Sequence, residues 1–417
     1  MLLIYKICLI IIQDNKNSGI FEVNYYHSTI MKKLSVLLAG LGMAAILCSS
    51  CSNAPKLTMS GLDPAAFDTV INEKPIQLYT LKNANGMEVC ITNFGGRVVS
   101  LLVPDKDGNP QDVVLGFDNI RQYADTVNSP SDFGAAIGRY ANRIKDGKIT
   151  IDGQTIQLPK NNFGHCLHGG PSGWQYQVYE ANQPSENMLQ LTLKSPDGDN
   201  NFPGNVVATV TYTVTNDNGL DIAYTATTDK KTVINMTNHS YFNLNGDPNV
   251  NIENHLLQLN AYIYTPSDAT YMTTGDTVWV KGTPMDFLEL TEVGKNVNNF
   301  DYKPIKNANG FDHNWCLASY ANGKGNDKLV SCTLYSPVTG IKMDVYTNEP
   351  GVQVYTGNFL DGSLTGKKGI TYQKRAGICL ETQKYPDSPN KKGWPSAYLS
   401  PGEKYYSHCI YKFSVAK

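Results

Sequence analysis

From residue 206 to 215, Ala208, Val210, Tyr212 and Val214 alternate with Thr209, Thr211, Thr213 and Thr215. A period of two puts successive side chains on opposite faces, so the segment predicts a strand with one buried and one wetter face. Asn216-Asp217-Asn218-Gly219 follows with turn chemistry, and Leu220, Ile222 and Tyr224 resume the alternation, which predicts a hairpin. Ile149-Thr150-Ile151 and Ile156-Gln157-Leu158 flank Asp152-Gly153 as a second hairpin. Further strand-like runs fall at 88–92, 98–103, 189–193, 255–259, 329–335, 341–346, 351–355 and 377–380, and no sustained helical periodicity accompanies them. Closely spaced strands without intervening helices predict an all-β sandwich or barrel, not alternating βαβ units. No Pro/Ser-rich linker, composition break or fixed-period repeat divides the chain beyond residue 75. Residues 75–417 therefore read as one large β domain and 52–74 as a linker and lead-in.

The N-terminal pattern is different. Met31-Lys32-Lys33 precedes an apolar run from Leu34 to Leu47, followed by Cys48-Ser49-Ser50-Cys51. A basic start, an apolar stretch too short to span a bilayer comfortably and small residues at the cut describe a secretory signal over 31–51. The placement of Cys51 resembles a bacterial lipoprotein signal, in which that cysteine is lipidated and becomes the mature N-terminus. An ordinary secretory peptide or signal anchor is the alternative, and either exports the protein. Residues 1–30 make poor sense as part of such a signal and read as an extension upstream of a true start at Met31. The expectation is an exported lipoprotein held to a membrane through Cys51. No acidic run follows Cys51, which favours the periplasmic side. The remaining cysteines, Cys90, Cys166, Cys316, Cys332, Cys379 and Cys409, have irregular spacing and read as isolated buried thiols.

Composition narrows the function. Lys and Arg total 35 against 37 Asp and Glu, a formal charge of −2, so there is no basic footprint for nucleic acid. Charged residues at 17% and hydrophobic residues at 41% exclude disorder and a charged helical bundle as the main architecture. The abundant Tyr, Gly and Pro suit short strands and tight turns.

Phosphate-cradling loops, His-Glu-x-x-His and paired Cys-x-x-Cys motifs are all absent from the sequence. His165-Cys166-Leu167-His168 imitates a metal pair, but on a Gly-flanked irregular segment the two imidazoles need not converge. Asp105-Lys106-Asp107-Gly108-Asn109 and Asp197-Gly198-Asp199-Asn200 gather oxygen ligands without the Glu that completes an EF-hand loop. They read as solvated turns, with a structural calcium ion left open. Two segments embed polar groups in apolar context: Asn238-His239-Ser240-Tyr241-Phe242-Asn243-Leu244, and Gly377-Ile378-Cys379-Leu380-Glu381-Thr382-Gln383. A strand that turns Ile378 and Leu380 one way turns Cys379 and Glu381 the other. Burial there raises a carboxyl pKa toward the range of a general base. Taken singly, His239 also fits a satisfied structural histidine, Glu381 a solvated strand end and Arg143 an ordinary salt-bridge arginine. Trp174 and the tyrosines fit either core or the apolar wall of a sugar site. The residues alone support a polar cleft in a β protein, suited to carbohydrate, with an acid and a base available.

Taken together these segments resemble the aldose 1-epimerase, or galactose mutarotase, family. The resemblance covers nearly all of 75–417 and rests on elements in the family's order. They include Asn93-Phe94-Gly95-Gly96, the run from Gly138 to Ile144, Leu167-His168-Gly169-Gly170, Phe202-Pro203-Gly204, the run from Asn238 to Leu244, Gly310-Phe311-Asp312-His313-Asn314, the run from Gly351 to Asn358, and Glu381-Thr382-Gln383. It implies a large antiparallel β-supersandwich and cofactor-free interconversion of the anomers of a free hexose such as galactose or glucose. It also implies roles. His239 resembles the acid that protonates the ring oxygen, Glu381 the base that takes the C1 hydroxyl proton, and His168 the second histidine near the reacting oxygens. Asn142, Arg143, Asp312 and Gln353 resemble the groups that hold sugar hydroxyls, with Tyr241 beside them, and no metal is implied. The sequence departs from the pattern at Asn201, where Gly is expected, and adds His165 and Glu349 near the sugar-holding segments. Two other readings compete: a non-catalytic exported carbohydrate-binding lipoprotein of the same fold, and a sugar-phosphate epimerase. The second would need a cationic clamp, and no extra Arg/Lys cluster lies near the motifs.

Overall fold

The computed structural model describes residues 56–416. The signal-like segment 31–51 with Cys51, and the upstream residues 1–30, lie outside the described residues.

The alternation at 206–228 forms the expected hairpin, Val206–Val214 against Gly219–Thr228 with Val214 opposite Leu220. Ala208, Val210, Tyr212 and Val214 are buried, and the threonines between them are partly exposed. The hairpin supplies the third and fourth strands of a nine-stranded sheet. Its order is 180–185, 188–195, 206–214, 219–228, 405–415, 341–347, 330–335, 256–259 and 291–292, with every pairing antiparallel. Tyr212 shows how a tyrosine enters such a core. Its ring is buried, about 2–3 kcal/mol of apolar gain, and its hydroxyl donates to the Gly96 carbonyl at 2.6 Å, so no polar atom is stranded.

A four-stranded sheet contains β1 (Arg97–Pro104). A short antiparallel pair joins β2 (Ala135–Ile137) to β3 (Thr237–His239). A five-stranded antiparallel sheet has the order 278–279, 263–265, β4 (Asp312–Cys316), β5 (Gly351–Tyr355), β6 (Cys379–Gln383). One face of this sheet, with Trp315, Val352, Val354 and Leu380, joins the same core cluster as the hairpin residues. The all-β supersandwich expected from the resemblance is therefore the observed architecture.

Two details differ from the sequence pattern. The strand expected at 377–380 is observed at Cys379–Gln383, so Glu381 sits in mid-strand rather than at a solvated end. The described part of the lead-in, 56–74, is built into the fold: Leu62 and Phe67 are buried, and Ser60 bonds to Glu88 and Ser100. Asn201 does adopt left-handed backbone, at φ +65°, as the turn before Phe202 requires. All six described cysteines are buried and free.

Candidate active site

Register on the five-stranded sheet builds the floor of a cleft. Asp312, Tyr355 and Cys379 are opposite one another across β4, β5 and β6, and Asn314, Gln353 and Glu381 form the next row. Residues in register share a face, and this face is turned away from the core cluster that holds the hairpin, with Tyr355 and Cys379 packed in a second cluster. His239 closes the site from β3, and the chain continues to Tyr241 past β6. Gly377 permits that approach, because a Cβ there would stand 2.9 Å from the Cβ of Tyr241. The cleft has a volume of about 350 Å³, and His239, Glu381, His168, Asn142, Arg143 and Asp312 all line it. A larger groove of about 750 Å³ beside Lys384 and Trp394 has no histidine or carboxylate among its lining residues. Size does not locate the chemistry here.

At the floor, His239 Nε2 and Glu381 Oε1 are 3.6 Å apart, with the two side chains 6% and 3% exposed. Glu381 Oε2 is buried and has no hydrogen-bond partner. Loss of hydration pushes the Glu381 carboxyl up to about 7; His239 and Arg143 pull against this, and Asp312 and Asp132 add to it. The imidazole of His239 lies flat against Tyr241, centroids 5.1 Å apart at 27°, and edge-on to His168 at 5.3 Å. Tyr241 thus backs His239 and also lines the cleft.

His168 Nδ1 accepts the Asn142 backbone N–H at 3.1 Å. Burial, His239 and Arg143 hold its pKa well below the usual histidine range. It is therefore neutral with its proton on Nε2, a hydrogen-bond donor. Asn142 and His168 both have left-handed backbone, at φ +66° and +51°, the kind of local strain that collects at functional sites.

Asp312 and Arg143 form the opposite wall. Gln353 Nε2 donates to Asp312 Oδ1 at 2.6 Å, and Arg143 Nη1 is 3.9 Å from Asp312 Oδ2. Arg143 Nε donates to Asn162, and the guanidinium lies 5.1 Å from the ring centroid of Tyr271. Arg143 is buried, not the ordinary surface arginine its local context allowed. Of the residues singled out in the sequence for catalysis or sugar binding, His239, Glu381, His168, Asn142, Arg143, Asp312 and Tyr241 line this one cleft, Gln353 is bonded to its wall through Asp312, and Trp174 belongs to the core.

The structure adds Asp132, whose carboxylate lies within 4.8 Å of ring nitrogens of both His168 and His239. Its context, Pro130-Ser131, carries turn chemistry and nothing that marks a site. Two triads, Asp132–His168–His239 and His239–Cys379–Glu381, have metal-like spacing. In the first, His168 has Nδ1 committed to a backbone N–H and its proton on Nε2, so ligation would cost that bond or that proton. In the second, burial raises the Cys379 thiol well above its ordinary pKa, away from the thiolate a metal binds.

His165 stands apart from the cleft chemistry. Its Nδ1 accepts the Asp146 N–H and its Nε2 bonds to Thr270. Glu349 is buried against Lys384 at 2.6 Å. In the two Asp-rich turns, Asp105 and Asp197 are bonded locally. Asp105 accepts from the backbone of Asp107 and Asn109 and from Gln111, and Asp197 accepts from Gly204 and Lys230.

Comparison with known proteins agrees with this geometry. The family model described as aldose 1-epimerase matches residues 77–412. Human galactose mutarotase is 40% identical over 332 residues, 79% of this chain and 92% of that protein. Aldose 1-epimerase of Escherichia coli K12 is 37% identical over 344 residues, 82% and 96% of the two chains. Among solved structures, galactose 1-epimerase from Lactobacillus acidophilus superposes with a TM-score of 0.72 at 30% identity, covering 84% of this chain and 97% of the other. With the family model spanning most of the chain, the protein belongs to the aldose 1-epimerase family of isomerases.

Proposed function

We propose that the protein accelerates interconversion of the α and β anomers of free hexoses such as glucose and galactose. One juxtaposition carries the reading: an imidazole and a carboxyl with one unpartnered oxygen, His239 and Glu381, buried side by side in a cleft whose other polar groups suit an uncharged sugar. The names of the human and bacterial relatives point the same way.

In this reading Glu381 takes the proton of the C1 hydroxyl while His239 delivers one to the ring oxygen. The C1–O5 bond breaks, C1 becomes a carbonyl, and the open sugar turns about C1–C2. Return of the protons, from Glu381 to the carbonyl oxygen and from the O5 hydroxyl to His239, closes the ring on the other face. Only protons and one C–O bond move, so the step needs no redox cofactor and no metal. A carboxyl near neutral pKa can both take and return a proton, which a reversible reaction requires. His168 donates to a reacting or adjacent oxygen, while Asn142, Arg143, Asp312 and Gln353 fix the hydroxyls and Tyr241 holds the ring of His239. Orientation matters because the substrate carries no charge to steer it.

Polarimetry of freshly dissolved α-D-glucose and α-D-galactose tests the proposal. Relaxation faster than the buffer rate is expected. Protein that binds sugar without changing the relaxation would establish the binding-only reading instead.

Export and a lipid anchor at Cys51, on the periplasmic side, complete the proposal and rest on the 31–51 pattern alone. Incorporation of labelled palmitate, lost in Cys51→Ala, is the expected result; equal labelling of both, or of neither, would overturn the anchor.

A further inference from the structure

Asp132 has no place in the acid–base scheme, yet it lines the cleft, half-buried, between neighbours whose carbonyls are held by Arg97. Its carboxylate takes part in no hydrogen bond in the described structure, and Oδ1 is buried without a partner. A buried, unpaired carboxylate oxygen is costly and calls for an explanation. The backbone on either side of it is pinned. Arg97, fully buried on β1, donates through Nη1 to the carbonyls of Ser131 and Phe133, at 3.2 and 3.1 Å, and through Nη2 to Ser131 and Gln175. Phe133 packs edge-on against Tyr241 at 4.8 Å, and Tyr241 backs His239. The acceptor is thus held in fixed relation to the catalytic pair, as preorganised binding groups are.

What it faces decides its role. His168, with Nδ1 committed to Asn142, has an Nε2–H to give. The carboxylate of Asp132 and ring nitrogens of His168 and His239 lie within 4.8 Å of one another. No direct hydrogen bond joins the carboxylate to either ring, and all three lie within reach of one bridging oxygen. A hydroxyl about 2.8 Å from each of two partners holds them ~4.6 Å apart. A sugar hydroxyl also has the needed duality, accepting from N–H while donating to a carboxylate.

Resting on the mutarotase reading above, we propose that Asp132 is a sugar-binding residue that, with His168, clamps one hydroxyl of the hexose beside the reacting centre. A hydroxyl held between a donor and a charged acceptor cannot be replaced by hydrogen without stranding both, so the clamp makes the enzyme demand that hydroxyl.

The test is initial-rate mutarotation of D-glucose and its monodeoxy analogues by wild type, Asp132→Asn and Asp132→Ser, each checked for an unchanged far-UV spectrum and melt. For glucose, the variants are expected to raise KM about tenfold or more with a smaller change in kcat. One deoxy sugar, lacking the clamped hydroxyl, should be poor for wild type and no poorer for the variants. An unchanged KM for glucose would overturn the clamp. So would an equal loss on every analogue, which marks a structural effect, or a shifted pH profile at constant KM, which marks action through His239. Wild-type acceleration with glucose separately tests the mutarotase reading. Should that fail, calorimetric binding of galactose to wild type and Asp132→Asn still decides the clamp: weaker binding by the variant is expected, and equal binding would overturn it.

Discussion

Two histidine–carboxylate clusters in this molecule use the same chemical groups to opposite ends. On the strand Tyr405–Val415, His408 lies between Asp327, 2.7 Å from Nδ1, and Asp221, 3.1 Å from Nε2. Both ring nitrogens are satisfied, and the hydrogen bonds raise the pKa of the imidazole. In the cleft, His239 and Glu381 are more deeply buried and stand 3.6 Å apart, with one carboxylate oxygen unpaired. The first cluster spends its bonding capacity on the fold; the second withholds it. Burial with an oxygen left unpartnered raises the Glu381 carboxyl toward neutral pKa, so the looser and dryer pair is the one fit for acid–base work.

The largest effect that separates them is kinetic. Glu381→Gln should slow catalysed mutarotation by about a thousandfold, within the usual span of general acid–base contributions, while sugar binding survives. The acid limb of the wild-type pH–rate profile should rise with ionisation of Glu381 near pH 7, because the base must be ionised. A variant that kept more than a tenth of the activity would break the comparison at its catalytic end.

The same substitution should stabilise the protein. The folded pKa of Glu381 is raised from 4.5 to about 7. Its contribution is therefore fully present below pH 4.5 and is lost as pH rises through about 7. At pH 8 the ionised, buried group costs about 3 kcal/mol, which glutamine avoids. Urea unfolding of the variant should show a higher midpoint at pH 8 and a smaller difference at pH 5. A lower midpoint at pH 8 would mean the carboxylate is well satisfied after all.

Gln353→Leu addresses the paired wall of the cleft. It leaves Asp312 Oδ1 without its 2.6 Å donor and should lower kcat/KM by ~10- to 100-fold, chiefly through KM. A purely kcat defect would place Gln353 with the proton-transfer groups instead.

The smallest effect belongs to the satisfied cluster. His408→Ala should cost about 1 kcal/mol of stability near pH 6 and leave mutarotation unchanged. Because the folded pKa of His408 is raised, the wild-type advantage is present below the unfolded pKa and fades as pH rises through the folded one. A pH-independent difference in denaturant midpoint would show that packing, not charge, is what His408 supplies.

How legible these regions were in the chain follows from the same distinction. The hairpin at 206–228 could be read directly, since one face meets core and the other water, and alternation records that. β6 was only half legible, because both of its faces are buried and its cleft side carries Cys379, Glu381 and Gln383. A polar residue buried for function looks, in a bare pattern, like the end of a strand. His239 and Glu381 lie far apart in sequence, and no spacing joins them. Their pairing came from the family resemblance and is seen physically only through the packing of β3 against β6. Asp132 left no mark in the sequence, because its importance lies in a missing partner and in the grip of Arg97 on its neighbours' carbonyls.

Direct titration of the Glu381 carboxyl tests the central claim most closely. Carbon-13 spectra of the sugar-free enzyme labelled at glutamate Cδ, with the Glu381 resonance assigned by its loss in Glu381→Gln, should show this one carboxyl losing its proton near pH 7. A resonance already ionised by pH 5, like an ordinary glutamate, would contradict a withheld, poised base.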